Sequence, residues 1–138
     1  MIKYQKILNK NLLKVFIEII KEIEKNGLDG NNHLYITFYT NNPKTVIPDW
    51  LLQKYPKTMT IVIQHEYYNL SVYKNNFNIG LSFENKKVDL KISFDSIISF
   101  VDPSSNFGLN FDFNNSITKK INKTTKNKNK LDKLESSK

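Results

Sequence analysis

Cysteine, arginine and alanine are absent from all 138 residues. Without cysteine there is no disulfide scaffold, no thiolate zinc site and no cysteine nucleophile. Glycine and proline are sparse, four each, and Gly27, Gly30, Gly80 and Gly108 make no glycine-rich loop that could cradle phosphates. Only two histidines occur, His33 at the start and His65 at the end of an expected strand. No HExxH, no histidine pair at i, i+4 and no aspartate-rich loop marks a metal site, and no GxSxG surrounds a serine. The carboxylates are scattered singly, so no acid/base pair is visible. The chain is therefore read as no enzyme, with no catalytic residue, no metal and no cofactor. No run of about 18 apolar residues exists to span a membrane. The opening Met1-Ile2-Lys3-Tyr4 lacks a signal peptide's apolar core, so the expected location is cytoplasmic.

What is present is charge of one kind. The net charge is +8 and every cation is lysine. Residues 1–113 hold 13 lysines against 11 acids, whereas residues 114–138 hold 8 lysines against Asp132 and Glu135. Three quarters of the net charge thus belongs to the last 25 residues. Abundant Lys, Asn and Ile without Ala or Arg also matches the drift of an AT-rich genome. Arginine, whose planar fork suits phosphate and guanine, is missing, so the basicity argues only weakly for a nucleic-acid partner.

The apolar pattern divides the chain. Over residues 3–26 the period is helical. At about 100° per residue, Tyr4, Leu8, Leu12, Leu13, Val15, Phe16, Ile19, Ile20 and Ile23 cover about half the circumference, with lysines and glutamates opposite. So wide a stripe fits a helix sunk into a groove, or one that packs both on its own sheet and on a second subunit. From His33 the period becomes strand-like: His33–Tyr39, Thr58–His65, Asn69–Lys74, Phe77–Phe83, Val88–Phe94, Ile97–Val101 and Phe107–Phe113. A short helix, Asp49–Lys54, is expected after Pro48. Asn75-Asn76 is expected as a two-residue turn with positive φ, and Glu84-Asn85-Lys86 as a second turn. Short strands with tight turns predict a mainly β, α+β fold, an antiparallel barrel or sandwich preceded by one N-terminal helix. Beyond Phe113 the apolar content collapses, which predicts a disordered Lys/Asn-rich tail over residues 114–138.

A small β domain without catalytic groups is suited to binding, and its sheet edges can take up a peptide as an added strand. Gln64-His65-Glu66-Tyr67-Tyr68-Asn69 interrupts two apolar strands with polar and aromatic residues. Gln64 carries both a donor and an acceptor, so this segment is either a solvated turn with half-buried aromatics or a peptide-reading lip.

The same segment lies within a set of strings that resemble the stringent starvation protein B family, in its alphaproteobacterial branch. They are His33-Leu34-Tyr35-Ile36-Thr37-Phe38, Lys54-Tyr55-Pro56, Met59-Thr60-Ile61-Val62-Ile63-Gln64-His65 and Tyr67-Tyr68-Asn69-Leu70. Leu81-Ser82-Phe83, Asp102-Pro103-Ser104 and Asn106-Phe107-Gly108-Leu109-Asn110-Phe111 continue them. The resemblance implies an N-terminal helix followed by an Sm-like, partly open β-barrel over residues 1–113, dimeric through that helix. It implies an adaptor that binds the ssrA tag of incomplete polypeptides and delivers them to the ClpX unfoldase of the ClpXP protease. Gln64 then takes the role of a peptide contact by direct match, with His65, Tyr67 and Tyr68 assigned by proximity. Leu8, Leu12, Val15, Phe16 and Ile19 become the dimer interface.

The family's tail ends in a motif that docks on ClpX. Here Leu131-Asp132-Lys133-Leu134 matches its centre, with Leu131, Asp132 and Leu134 as docking residues, although the preceding Ile-Val is missing. As a flexible chain, the 17 residues 114–130 span roughly 5–6 Å × √17, or about 20–25 Å, enough to raise the local concentration of cargo towards the mM range. The alternative is a small Sm-like RNA-binding protein with a basic tail. The lack of arginine and of an aromatic RNP-type pattern argues against it.

Overall fold

A computed structural model describes residues 1–111 of the chain. The expected tail, the ClpX-docking residues Leu131, Asp132 and Leu134, and the Phe113 end of the last expected strand lie outside the described residues.

The long helix α1 runs Tyr4–Asn26 and stops where Gly27, at φ 76°, donates its N–H to Ile23 O at 2.8 Å. A glycine at this left-handed position ends the helix without a Cβ penalty. Seven strands follow, with one short helix: β1 (Leu34–Tyr39), α2 (Asp49–Lys54), β2 (Thr58–Ile63), β3 (Tyr68–Val72), β4 (Asn76–Phe83), β5 (Lys86–Ser93), β6 (Ile97–Asp102) and β7 (Phe107–Asn110). They form two antiparallel sheets, one ordered β2-β1-β6-β7 and the other β3-β4-β5. The fold is mainly β with one long N-terminal helix, as expected, and among the described residues the sheets do not close into a complete barrel. No helix among those residues is long and apolar enough to cross a membrane.

The alternating pattern decides which faces meet. In β1, Leu34, Ile36 and Phe38 are buried; in β2, Met59, Ile61 and Ile63 are. They join Phe77, Ile79, Leu90 and Ile92 of the other sheet in one core. Phe16 of α1 is completely buried at the centre, with its ring at steep angles to Phe77 and Phe100, one from each sheet. The wide helical stripe divides accordingly: Phe16, Ile20 and Ile23 enter the core, Leu12 and Ile19 are half-buried, and Tyr4, Leu8 and Val15 stay exposed.

One expectation about turns is corrected, and the other, at Glu84-Asn85, holds. Asn75-Asn76 is not the turn, and neither residue has positive φ. Val72 pairs with Phe77, and Tyr73 N–H donates to Asn76 O at 2.8 Å, so the tip is Lys74-Asn75. The tight hairpin with positive φ at both central residues lies at Glu84 (49°) and Asn85 (65°), between the paired residues Phe83 and Lys86. Its tip is held by α2 through an ion pair between Lys54 and Glu84, and by Lys86, whose ammonium sits 4.7 Å from the centre of the Trp50 ring. The shared hydrogen bond and charge raise the Lys54 pKa and lower that of Glu84.

The loop after β1 is fastened to the second sheet by a paired backbone bridge between Val46 and Lys91. Asp95 anchors it further, accepting from Asn42 (3.0 Å), Lys44 (3.1 Å) and Ser93 (2.5 Å). Partial burial opposes ionisation of Asp95, but these donors and the Lys44 charge outweigh it and hold the carboxyl below its ordinary value.

Candidate functional site

β2 ends two residues before the expected His65. Ile63 is the last inward residue, and Gln64, His65 and Glu66 form a turn rather than the end of the strand. What lies beside that turn is set by the second sheet. β3 pairs with β4 only as far as Tyr68 opposite Gly80, so Leu81, Ser82 and Phe83 pair with β5 alone. Between this half-paired end of β4 and the end of β2 lies a cavity of about 210 Å³ lined by Val62, Gln64, His65, Glu66, Leu81 and Ser82. A half-buried amide and a serine hydroxyl offer donors and acceptors, while Val62 and Leu81 give apolar wall. The arrangement suits an extended peptide, whose backbone can bond to polar groups at a strand's open side. His65 and Glu66, 62% and 85% exposed, stand 3.8 Å apart at the rim.

The four residues assigned from sequence do not gather at one place. Gln64 and His65 line the cavity; Tyr67 and Tyr68 do not. Tyr67 is half-buried against the core and directs its phenol towards Gly27 at the end of α1. Tyr68 lies over Gly80 on the outer face of the second sheet and donates to Val88 O at 3.4 Å, with the Lys87 ammonium 5.6 Å from its ring centre. Burial against the strand and the nearby Asp89 carboxylate raise its pKa. Glycine opposite an aromatic in a strand pair leaves the ring room to lie on bare backbone.

Sequence reasoning missed Val62 and the outer face of the first sheet. There a second cavity of about 470 Å³ is lined by Tyr35, Thr37, Thr60, Val62, Ser99, Val101 and Pro103, and Val62 belongs to both cavities. The signal was present in β1 and β2, where apolar, aromatic or β-branched residues fill both alternating phases, as in strands covered on both sides.

The expected helical interface is also sorted by geometry. Phe16 has no exposed surface and belongs to the chain's own core, so it is removed from the set. Val15 and Ile19 line a groove of about 410 Å³ along α1, with Phe100 beneath and Glu18, Glu22 and Asp102 around it. Leu8, 51% exposed, and half-buried Leu12 continue the same helical flank.

A family model described as stringent starvation protein B matches residues 7–138. The chain belongs to the stringent starvation protein B family, an adaptor family. A search of the curated proteins found no match. The family match takes in α1 from Ile7 onward, both sheets, the Gln64 cavity and the lysine-rich residues after Phe113, so body and tail belong to one matched length.

Proposed function

We propose that this stringent starvation protein B relative is an adaptor that grips the ssrA tag of incomplete polypeptides in the Gln64 cavity. It hands them to the ClpX unfoldase of ClpXP in the cytoplasm. The observation that carries the reading is the position of Gln64: the one residue matched directly to a family peptide contact lines an open cavity beside the half-paired end of β4. His65 sits at its rim, whereas Tyr67 and Tyr68 support the surrounding fold. Residues 114–130 act as the tether, and Leu131, Asp132 and Leu134 dock on ClpX. The adaptor needs no cofactor and performs no chemistry; it raises the concentration of cargo at the unfoldase.

The protein works as a homodimer through the flank of α1 formed by Leu8, Leu12, Val15 and Ile19. Lys6, Lys10 and Lys14 occupy the first half of the helix without an acid, and Glu18, Glu22 and Glu24 lie in the second half beside Lys21 and Lys25. An antiparallel pairing of two such helices sets lysines against glutamates while the apolar flanks cover one another.

The RNA-binding alternative is disfavoured by the same surfaces, since no lysine lines either the Gln64 cavity or the cavity on the first sheet. Fluorescence anisotropy with a labelled ssrA peptide tests the reading. Gln64→Ala leaves peptide groups without their partner and is expected to weaken binding by about tenfold or more with the melting temperature unchanged. Wild-type affinity in this variant contradicts the assignment.

A further inference from the structure

Six polar side chains among the described residues are more than nine-tenths buried: Asn9, Thr40, Thr45, Ser93, Ser96 and Ser99. Five of them have at least one side-chain hydrogen bond. Asn9 accepts from Gln5, Thr40 donates to Tyr55 O, Thr45 and Ser96 share a bond, Ser93 donates to Asp95, and Ser96 also donates to Ser93 O. The hydroxyl of Ser99, 7% exposed, has no partner among the described residues. A buried polar group without a partner is rare enough in folded proteins to need a reason.

Ser99 is aimed by the pleat of the first sheet. It pairs with Thr37 on one side and Asn110 on the other, and Thr37 pairs with Thr60, so these four residues form one rung across the outer face. Thr37 and Thr60 bond to each other at 2.8 Å, which leaves Ser99 the unengaged hydroxyl of the rung. The next rung on the same face is Val62, Tyr35, Val101 and Gly108. A row of hydroxyls thus runs beside an apolar row that ends at a glycine. Thr37, Thr60, Ser99, Tyr35, Val62 and Val101 of these rungs line the cavity of about 470 Å³, with Pro103 completing it, and Val62 is shared with the Gln64 cavity. No carboxylate or ammonium lines it, so a charged side chain entering it would lose water without gaining a counter-charge.

We propose that this cleft is a second subsite for the same peptide that Gln64 holds. It takes an uncharged branched or aromatic side chain against Val62, Tyr35 and Val101, while a backbone N–H or C=O of the peptide satisfies Ser99. The inference rests on the adaptor reading above. With strands about 4.8 Å apart and about 3.3 Å between residues along each, the two subsites are separated by roughly three to four extended peptide residues.

The test uses the full chain and the labelled ssrA peptide. Ser99→Ala removes one buried oxygen and is expected to bind roughly fivefold more weakly, with a melting temperature equal to or above that of the wild type. Val101→Lys puts a charge on the apolar rung and is expected to weaken binding by more than about tenfold. A series of peptides with each residue in turn replaced by aspartate is expected to show a sensitive position about three or four residues from the one that responds to Gln64→Ala. If Val101→Lys fails to fold, Ser99→Ala and the peptide series decide the matter. Wild-type affinity in Ser99→Ala, while Gln64→Ala loses binding, overturns the second subsite and leaves the adaptor reading intact. Absence of binding by the wild type overturns both.

Discussion

Phe16→Ala is expected to cost about 3–5 kcal/mol, the largest loss of any single truncation in this fold. The side chain is fully buried and meets four other buried phenylalanines. Its ring centre lies 6.1 Å from Phe77, 6.2 Å from Phe94, 5.8 Å from Phe100 and 6.3 Å from Phe111, at interplanar angles between 61° and 82°. Phe77 belongs to the three-stranded sheet, Phe100 to the four-stranded one, and Phe94 to the short turn that joins them. Edge-to-face pairs of this kind add to the area they bury. Removing the ring opens a cavity between rigid strands, which cannot collapse onto one another without breaking their ladders. Since small domains are stable by only about 5–15 kcal/mol, such a loss takes a large part of the total. Urea unfolding of the two proteins measures it, and a difference below about 1 kcal/mol contradicts this account of how α1 is held.

Gly80→Val is the second. A Cβ at this position runs into the Tyr68 ring carbons, so the ring must leave. Its packing on β4, its hydrogen bond to Val88 O and its contact with Lys87 are then lost together. Overpacking of this kind costs about 1–3 kcal/mol. The signature is non-additivity: in a Tyr68→Ala background the valine meets no ring, and Gly80→Val is expected to be nearly neutral there. Equal costs in both backgrounds sink the explanation. Because Tyr68 does not line the Gln64 cavity, the shift in stability should exceed any shift in peptide affinity.

The architecture was legible because period and composition agree. Nine apolar positions on half a helix and seven short alternating runs leave little choice but one helix and an antiparallel β fold. What misled was reading positive φ into Asn75-Asn76 from residue type alone, while the turn expected at Glu84-Asn85 is the one that has it. The pairing of Phe83 with Lys86 and the clamp from α2 favour positive φ at Glu84 and Asn85, and neither is visible locally. The site was half legible for the same reason. Gln64 stands out in an apolar run, whereas Leu81 and Ser82 matter only because β3 stops pairing at Gly80, a non-local event. Tyr67 and Tyr68 adjoin Gln64 in sequence, yet the chain turns them to other faces. Phe16 shares the helical stripe with Val15 and Ile19, but a wide stripe serves both the core and an exposed flank, and periodicity alone does not mark where one ends.

Degradation of an ssrA-tagged reporter by ClpXP, at substrate concentrations well below saturation, tests the adaptor reading most directly. With the wild-type chain present, the rate is expected to rise several-fold by the effective-concentration argument. It is expected to return to the unassisted rate with Gln64→Ala, and also when residues 131–138 are deleted, although the deleted chain still binds peptide. A rate that is the same with and without the wild-type chain contradicts the account.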